Sequence, residues 1–404
     1  MLAIALVLVV TSVSGGHDSG DQYRLAAVVL ALVIGAISWF FTRWRVEDGV
    51  LRIDRGLFRK SSERFPLHQI QAIDTVRPGL ARLLGLAELR IRMAGASGSS
   101  GRLAYLKAPH ADVLRARLLA LAHGVDEAAP APPEHQLLQV PPARLVVSML
   151  ISGPGLLVEL LIAAVVGVAL LYPSAVGPVV GGGAASILGA VGALWQRLNG
   201  EYRMTLAEAP DGLRLRAGLV ETSAETIPHG RVQALRMIEP LTWRPFGWVR
   251  VEVDVAGKGL KGHQNSPQRR AGRALLPVGN RKQASWLIER VLPGVPVLRT
   301  PAPARARWKS PLRYRHLSWA SNGGYAITTG GRLRRVTDWV PLAKVQSIRR
   351  VEGPLQRRLG LASIHLDTAG RHIYAVARDR DRDEVAHLMA SLPRDCRAAR
   401  RSAG

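Results

Sequence analysis

The chain has 404 residues, of which 48% are hydrophobic and 21% charged, so it is too apolar to be disordered and long enough for two or three domains. Lys and Arg number 55 against 30 acidic residues, and a formal charge of +25 implies an anionic partner, either nucleic acid or membrane headgroups. The single cysteine, Cys396, excludes a disulfide framework, a cysteine-ligated zinc site and a CxxC redox pair.

The first 42 residues predict a hairpin of two transmembrane helices, with spans at about 1–16 and 25–41. The second span is uncharged and ends in Trp39, Phe40 and Phe41, which are typical of an interfacial aromatic belt. The first is short for a hydrocarbon core of about 30 Å. We interpret it as the first arm of the hairpin, and a frayed apolar N-terminus is the alternative.

A second transmembrane hairpin is predicted at 144–197, with spans at about 145–171 and 175–195. Arginines flank both hairpins on the side of the long polar segments, whereas the hairpin tips carry acids or no charge. By the positive-inside rule, residues 43–143 and everything after 197 are cytoplasmic. The sequence therefore predicts a multi-pass protein of the inner cell membrane, with an anionic leaflet beside its basic surface.

Three segments between and after these hairpins share one ungapped register of about forty residues, the signature of an internal repeat. Each copy begins at a glycine, has a proline ten residues later, and then a β-branched residue followed by glutamine. A second glycine and a closing Ala-Gly pair follow at fixed offsets. The matching positions are Gly56, Gly218 and Gly331; Pro66, Pro228 and Pro341; Gln71, Gln233 and Gln346; Gly85, Gly247 and Gly360; and Gly95, Gly257 and Gly370.

Each copy alternates apolar and polar residues after its second glycine, which predicts half-buried strands. An amphipathic helical pattern ends each copy, as in 111–122, 283–292 and 383–392. Each copy is therefore predicted to contain several short strands followed by one helix.

These offsets resemble the bacterial pleckstrin-homology (PH) family, and three copies alternating with two hairpins resemble its YdbT-type membrane proteins. The resemblance implies three PH-like β-sandwich or barrel domains, each capped by a C-terminal α-helix. The second copy departs most, with Trp-Arg-Pro-Phe-Gly-Trp at 243–248. The expected domains are 43–124, 198–295 and 316–393, with a proline-rich linker at 125–143, a basic proline-containing linker at 296–315 and a tail at 394–404.

No nucleotide-binding loop, serine-nucleophile elbow or zinc-protease motif occurs in the sequence. We therefore expect no catalytic residue, no cofactor and no metal, and no enzymatic activity. One acid is unusual: Glu159 lies in the middle of the third predicted span, where a carboxylate is costly and often functional. A kinked helix with Glu159 protonated or facing another helix is the alternative.

Two basic segments are candidates for contact with anionic phospholipids, since each basic residue near an anionic leaflet contributes about 1 kcal/mol. Ordinary solvated loops are an equal alternative. Nucleic acid is disfavoured because these segments lack interleaved aromatic residues. The candidate residues are Lys258, Lys261, Arg269, Arg270 and Arg273 in the first segment, and Arg305, Arg307, Lys309, Arg313 and Arg315 in the second.

The sequence thus predicts a non-enzymatic scaffold or adaptor at the inner leaflet, interacting with membrane or cytoplasmic proteins and making non-specific contact with anionic lipid. The alternative is a component of a transport or lipid-handling complex that uses Glu159.

Overall fold

The structure is a computed structural model that describes residues 43–47, 50–55, 61–67, 70–93, 100–122, 134–172, 176–210, 212–228, 230–256, 273–294, 299–370 and 372–403. The chain divides into two compact units. Unit 1 comprises Met1–Ala94 and Ser99–Ala131, and unit 2 comprises Gly95–Gly98 and Pro132–Gly404. The first copy of the repeat lies in unit 1, and unit 2 holds the strands of the second and third copies.

Unit 1 contains six described strands and two helices. Strands β1, β2 and β3 form an antiparallel sheet in that order, and β4, β5 and β6 pair antiparallel in sequence order. Leu114 and Leu118 of the last helix pack into the core between these strands. The elements are β1 (Arg43–Glu47), β2 (Val50–Arg55), β3 (Ser61–Pro66), β4 (Ile70–Arg77), α1 (Gly79–Leu83), β5 (Leu86–Met93), β6 (Ser100–Lys107) and α2 (Ala108–Ala122).

The second copy contains seven described strands, with three α-helices between its first and second strands and one α-helix at its end. Its elements are β7 (His135–Gln139), α3 (Pro142–Leu150), α4 (Gly153–Leu171), α5 (Val176–Glu201), β8 (Thr205–Ala209), β9 (Gly212–Ala217), β10 (Thr222–Ile227), β11 (Val232–Pro240), a 3-10 helix (Leu241–Phe246), β12 (Trp248–Val255), β13 (Arg273–Asn280) and α6 (Arg281–Val291). Strands β7 to β10 pair antiparallel in sequence order, as do β11 to β13.

The third copy repeats this arrangement of four strands, three strands and a helix. Its elements are β14 (Thr300–Pro301), two 3-10 helices (Ala304–Trp308 and Tyr314–His316), β15 (Ser318–Ser321), β16 (Tyr325–Gly330), β17 (Arg334–Pro341), a 3-10 helix (Leu342–Lys344), β18 (Val345–Val351), α7 (Pro354–Arg358), β19 (Leu361–Thr368), β20 (Ala375–Asp381) and α8 (Arg382–Ala403).

The repeat is confirmed at the level of the backbone. Gly85, Gly247 and Gly360 have φ of +68°, +63° and +62°, and each lies one residue before the strand that opens the alternating pattern. A left-handed conformation at this turn suits glycine because it lacks a Cβ. Gly218 and Gly331 also have positive φ, whereas Gly56 lies outside the described residues.

The second and third copies share one sheet. Strand β11 pairs antiparallel with β17, which joins three strands of the second copy to four of the third. The core follows this continuity, since Trp339 and Ile327 of the third copy pack into the hydrophobic cluster of the second. Unit 2 is therefore one body built from two copies of the repeat.

The predicted fold class, with two transmembrane hairpins, is contradicted. Among the described residues, no single helix has the length and apolar character needed to cross a membrane. Only α3 and Gly153–Val168 taken together reach that length and apolar content, and they are bent by 59° with respect to each other. The first predicted hairpin lies outside the described residues. The predicted span 145–171 is interrupted at Ile151 and Ser152. Ser152 caps α4, and a Cβ at Gly155 would lie 2.2 Å from the carbonyl oxygen of Met149.

Helix α3 is apolar because it packs on the second copy. Leu145 and Met149 are buried in that copy's core. The indole Nε1–H of Trp243 donates a hydrogen bond of 2.9 Å to the carbonyl of Ser148. Helix α5 is likewise attached at its end, where Glu201 accepts a hydrogen bond from Arg250 of β12 at 2.6 Å. Hydropathy alone does not distinguish such packing from a membrane span.

Candidate functional site

A basic pocket lies where the second and third copies meet inside unit 2. Its volume is about 290 Å³, near the lower end of the range for small-ligand sites. Strands β11, β16, β17 and β20 supply its walls, and the segment around the 3-10 helix Tyr314–His316 completes them. Four arginines against one aspartate line it, so its formal charge is strongly positive.

The aspartate is already neutralised by one of these arginines. Arg236 of β11 donates two hydrogen bonds to Asp338 of β17, from Nε to Oδ1 at 2.6 Å and from Nη2 to Oδ2 at 3.0 Å. Burial raises the pKa of Asp338, and Arg236 opposes that rise. Although burial alone would lower the pKa of Arg236, the hydrogen bond and charge of Asp338 raise it. The pair therefore fixes the pocket wall and leaves three other cationic side chains.

Those three side chains, Arg313, Arg334 and Arg378, are exposed and line the pocket. A guanidinium presents paired N–H donors that match two oxygens of a phosphate. Thr329 adds a hydroxyl, which accepts a hydrogen bond of 2.9 Å from Arg299. The arrangement suits an anion with several oxygens, such as a phosphodiester.

The positive potential extends beyond the pocket. His316 lies three residues from Arg313, and its pKa is lowered, first by burial and then by surrounding arginines. The contributing arginines are Arg335, Arg244, Arg332 and Arg315. Burial and these cationic side chains both disfavour protonation of His316.

The basic linker predicted to contact lipid is only partly available. Arg305 forms an ion pair with Asp381, and Lys309 Nζ lies 2.6 Å from Asp379 Oδ1. These two residues therefore attach the linker to the strand β20. Three others remain on the surface: Arg307 lies over the ring of Trp308 at 5.2 Å, Arg315 donates to the hydroxyl of Tyr314, and Arg313 lines the pocket.

The other predicted basic segment falls mostly outside the described residues, which include none of Lys258, Lys261, Arg269 and Arg270. Its last member, Arg273, begins β13 and forms an ion pair with Glu225. A contact of this segment with lipid stays a prediction.

Glu159 lies in helix α4 with an exposed side chain. The predicted span around it is divided into two helices, so the prediction that Glu159 lies at the centre of a bilayer is no longer supported. The alternative function that uses Glu159 stays a prediction, and Glu159→Gln in a transport assay is its test. Among the residues that the structure describes, no cluster of His, Cys, Asp and Glu could hold a metal ion.

Sequence reasoning missed Arg236, Arg334 and Arg378, which are distant along the chain and meet only through the pairing of β11 with β17 and the packing of β20. The repeat register gave no signal for them. The offset that holds Arg236 holds Asp74 in the first copy and Arg349 in the third, and neither of these residues lines the pocket.

The comparison with known families agrees with this geometry. The bacterial PH domain model matches residues 3–122, 146–294 and 291–394, which is most of the chain in three successive copies. The chain belongs to the bacterial PH domain family. This match identifies the domain and does not extend to the YdbT type. No curated protein matches the chain. As a bacterial PH domain protein, the chain carries its pocket on PH-like sheets that are joined edge to edge.

Proposed function

We propose that the protein is a non-enzymatic scaffold at the inner leaflet of the cell membrane, where its PH-like copies hold protein partners next to anionic lipid. In this proposal the pocket of unit 2 receives the phosphate of a phospholipid headgroup. The observation that carries the proposal is the grouping of Arg313, Arg334 and Arg378 of the third copy around one cavity, to which β11 of the second copy contributes Arg236.

The size and charge of the pocket favour a headgroup. A volume of about 290 Å³ accommodates a phosphodiester and its nearest substituents, whereas the acyl chains would remain outside. Three exposed arginines near an anionic surface contribute about 1 kcal/mol each. Together they favour anionic over neutral vesicles by roughly 100-fold, since 1.4 kcal/mol corresponds to a factor of ten.

The scaffold part of the proposal is supported by the continuity of the sheet and core between the second and third copies. The shared sheet and the Arg236–Asp338 pair fix the second copy against the third, so that surfaces of both copies keep a constant orientation to any lipid in the pocket. The proposal assigns no catalytic residue. Arg305 and Lys309 have a structural part in it, because they tie the linker to β20.

Vesicle flotation with the full chain tests the lipid contact. Arg313→Gln, Arg334→Gln and Arg378→Gln together should reduce the preference for phosphatidylglycerol-containing over neutral vesicles. The matched control replaces Arg394, Arg397 and Arg401 of α8 by Gln, which removes the same charge from exposed positions that do not line the pocket. The preference should also weaken as salt shortens the Debye length from about 10 Å at 0.1 M to 3 Å at 1 M. Equal losses in both variants would contradict a role for the pocket.

A further inference from the structure

Strand β18 of the third copy has an open edge. Its sheet consists of β18, β19 and β20 in that order, and no other described strand pairs with β18 on its outer side. The equivalent strand of the second copy is β11, which pairs with β12 on one side and with β17 on the other. An open strand edge presents unpaired N–H and C=O groups that can accept another strand.

An apolar residue that is buried in β11 has an exposed counterpart in β18, as expected if only β11 has a partner strand on that side. Ile238 of β11 faces Val336 of β17 and is 2% exposed. The offset that separates Gly218 from Gly331 places Val351 of β18 at the position of Ile238, and Val351 is 42% exposed. The edge of β18 thus displays an apolar side chain that its counterpart buries.

The equivalent arginines of β11 and β18 bind different acids. In the second copy, Arg236 binds Asp338 on the neighbouring strand, while Asp254 accepts the backbone N–H groups of His372 and Ile373 at 2.9 Å. In the third copy, the counterpart of Arg236 is Arg349. It binds its own sheet neighbour Asp367, at 2.6 Å and 3.0 Å.

The exposure of this arginine changes with its partner. The side chain of Arg236 is 22% exposed and that of Arg349 is 59% exposed. Asp367 is the counterpart of Asp254 by the same offset. Arg236 therefore shows how this arginine is bound when a strand pairs with its own, and Arg349 shows how it is bound when no described strand does.

The strand that fits this edge is identified by the repeat itself. Strand β17 is the last of the four strands that the third copy contributes to the shared sheet, and it pairs with β11. The corresponding strand of the first copy is β3, which ends a described sheet ordered β1, β2, β3. The offset between Gly56 and Gly331 places Glu63 of β3 at the position of Asp338. In the register of β11 on β17, Arg349 would face Glu63, and Arg350 would face Ser62.

We propose that β18 of one chain pairs antiparallel with β3 of a second copy of this chain, with Arg349 bound to Glu63 of that copy. The pairing goes beyond the proposed lipid contact and does not depend on it. Arg349 and Glu63 both have interactions within their own chain, so each exchanges partners on assembly. The contact joins unlike surfaces, so it extends head to tail and gives a ring or an open filament.

The test uses two charge-reversed full chains and their mixture. In the Arg349→Glu variant, the new glutamate of one chain would face Glu63 of the next. In the Glu63→Arg variant, the new arginine of one chain would face Arg349 of the next. Each variant alone should therefore self-associate at least roughly tenfold more weakly than the wild type. In the mixture, every β18 edge meets a β3 edge of opposite charge, so sedimentation velocity should again show species larger than the 43.7 kDa chain. Arg397→Glu, on the exposed face of α8, is the control and should leave assembly unchanged.

A cross-link provides a second measurement if Glu63→Arg does not fold. Arg350→Cys and Ser62→Cys place two thiols on exposed, directly opposed positions, and opposed strand residues lie within disulfide reach. Mild oxidation should give a ladder of covalent multimers that requires both cysteines. A wild-type chain that stays monomeric, a mixture that stays dissociated, or a disulfide confined to one chain would each overturn the proposal.

Discussion

Trp243→Phe should loosen helix α3 without unfolding unit 2. Trp243 is 1% exposed, and its indole N–H donates to the carbonyl of Ser148 at 2.9 Å. The amide of Ser152 donates to the carbonyl of Met149 instead of to the carbonyl of Ser148. The indole of Trp243 therefore supplies the donor that the Ser148 carbonyl lacks at the end of the helix. Phenylalanine keeps most of the apolar contact and removes this hydrogen bond.

The magnitude follows from two contributions. The lost hydrogen bond costs about 1 kcal/mol. The space left by the smaller ring costs about 1 kcal/mol more. A total of about 2 kcal/mol corresponds to roughly 30-fold faster amide exchange through local opening, because 1.4 kcal/mol is a factor of ten.

Hydrogen exchange with mass spectrometry can resolve this change in peptides covering Pro142–Leu150. Trp286→Phe is the matched control, because Trp286 lies on α6 and is 46% exposed. The control should leave exchange in α3 unaltered. Rapid exchange of α3 in the wild type, or protection unchanged by Trp243→Phe, would refute the assignment of α3 to the core of the second copy.

Three further outcomes are expected. Asp254→Ala removes a fully buried acceptor of two backbone N–H groups, so it should destabilise unit 2 by about 3 kcal/mol in denaturant unfolding. The hydrogen bond from Arg349 lowers the pKa of Asp367, so this contribution to stability is present above the unfolded pKa of about 3.9 and is lost as pH falls through the lower folded value. Arg349→Gln should raise that pKa in a carboxyl NMR titration, and an unchanged value would contradict the pairing. Gly360→Ala should cost about 1–2 kcal/mol because φ is +62° there, and an unchanged thermal midpoint would refute that strain.

The repeat was predictable because its markers are local. Turn glycines such as Gly85, Gly247 and Gly360 need positive φ, and in the strands after them apolar core residues alternate with polar residues, some of which, such as Asp254, are buried too. Both requirements are imposed residue by residue, so they remain visible in the sequence as fixed offsets and period-two patterns.

The second hairpin was wrongly predicted because hydropathy records apolar content and not the surface that receives it. Leu145 and Met149 are apolar since they pack on the second copy, while Ser152 caps a new helix where the predicted span should continue. The sequence Gly153-Pro154-Gly155 was a visible warning, because it favours a helix start over an uninterrupted span.

The pocket could not be predicted from linear order. Arg236 and Arg378 lie in different copies, and only the pairing of β11 with β17 and the position of β20 bring them to one cavity. The basic linker gave the opposite error. Arg305 and Lys309 are bound by acids of β20. The composition of the linker does not show this, because a solvated and an ion-paired arginine-rich segment have the same sequence pattern.

Titration calorimetry with a water-soluble, short-chain phosphatidylglycerol tests the central claim most directly, because it removes the general attraction of a charged vesicle surface. The full chain should bind this lipid saturably, and the variant with Gln at Arg313, Arg334 and Arg378 should lose that binding. The variant with Gln at Arg394, Arg397 and Arg401 should retain it. Binding that survives in the pocket variant, or that falls equally in both variants, would contradict a headgroup site between the second and third copies.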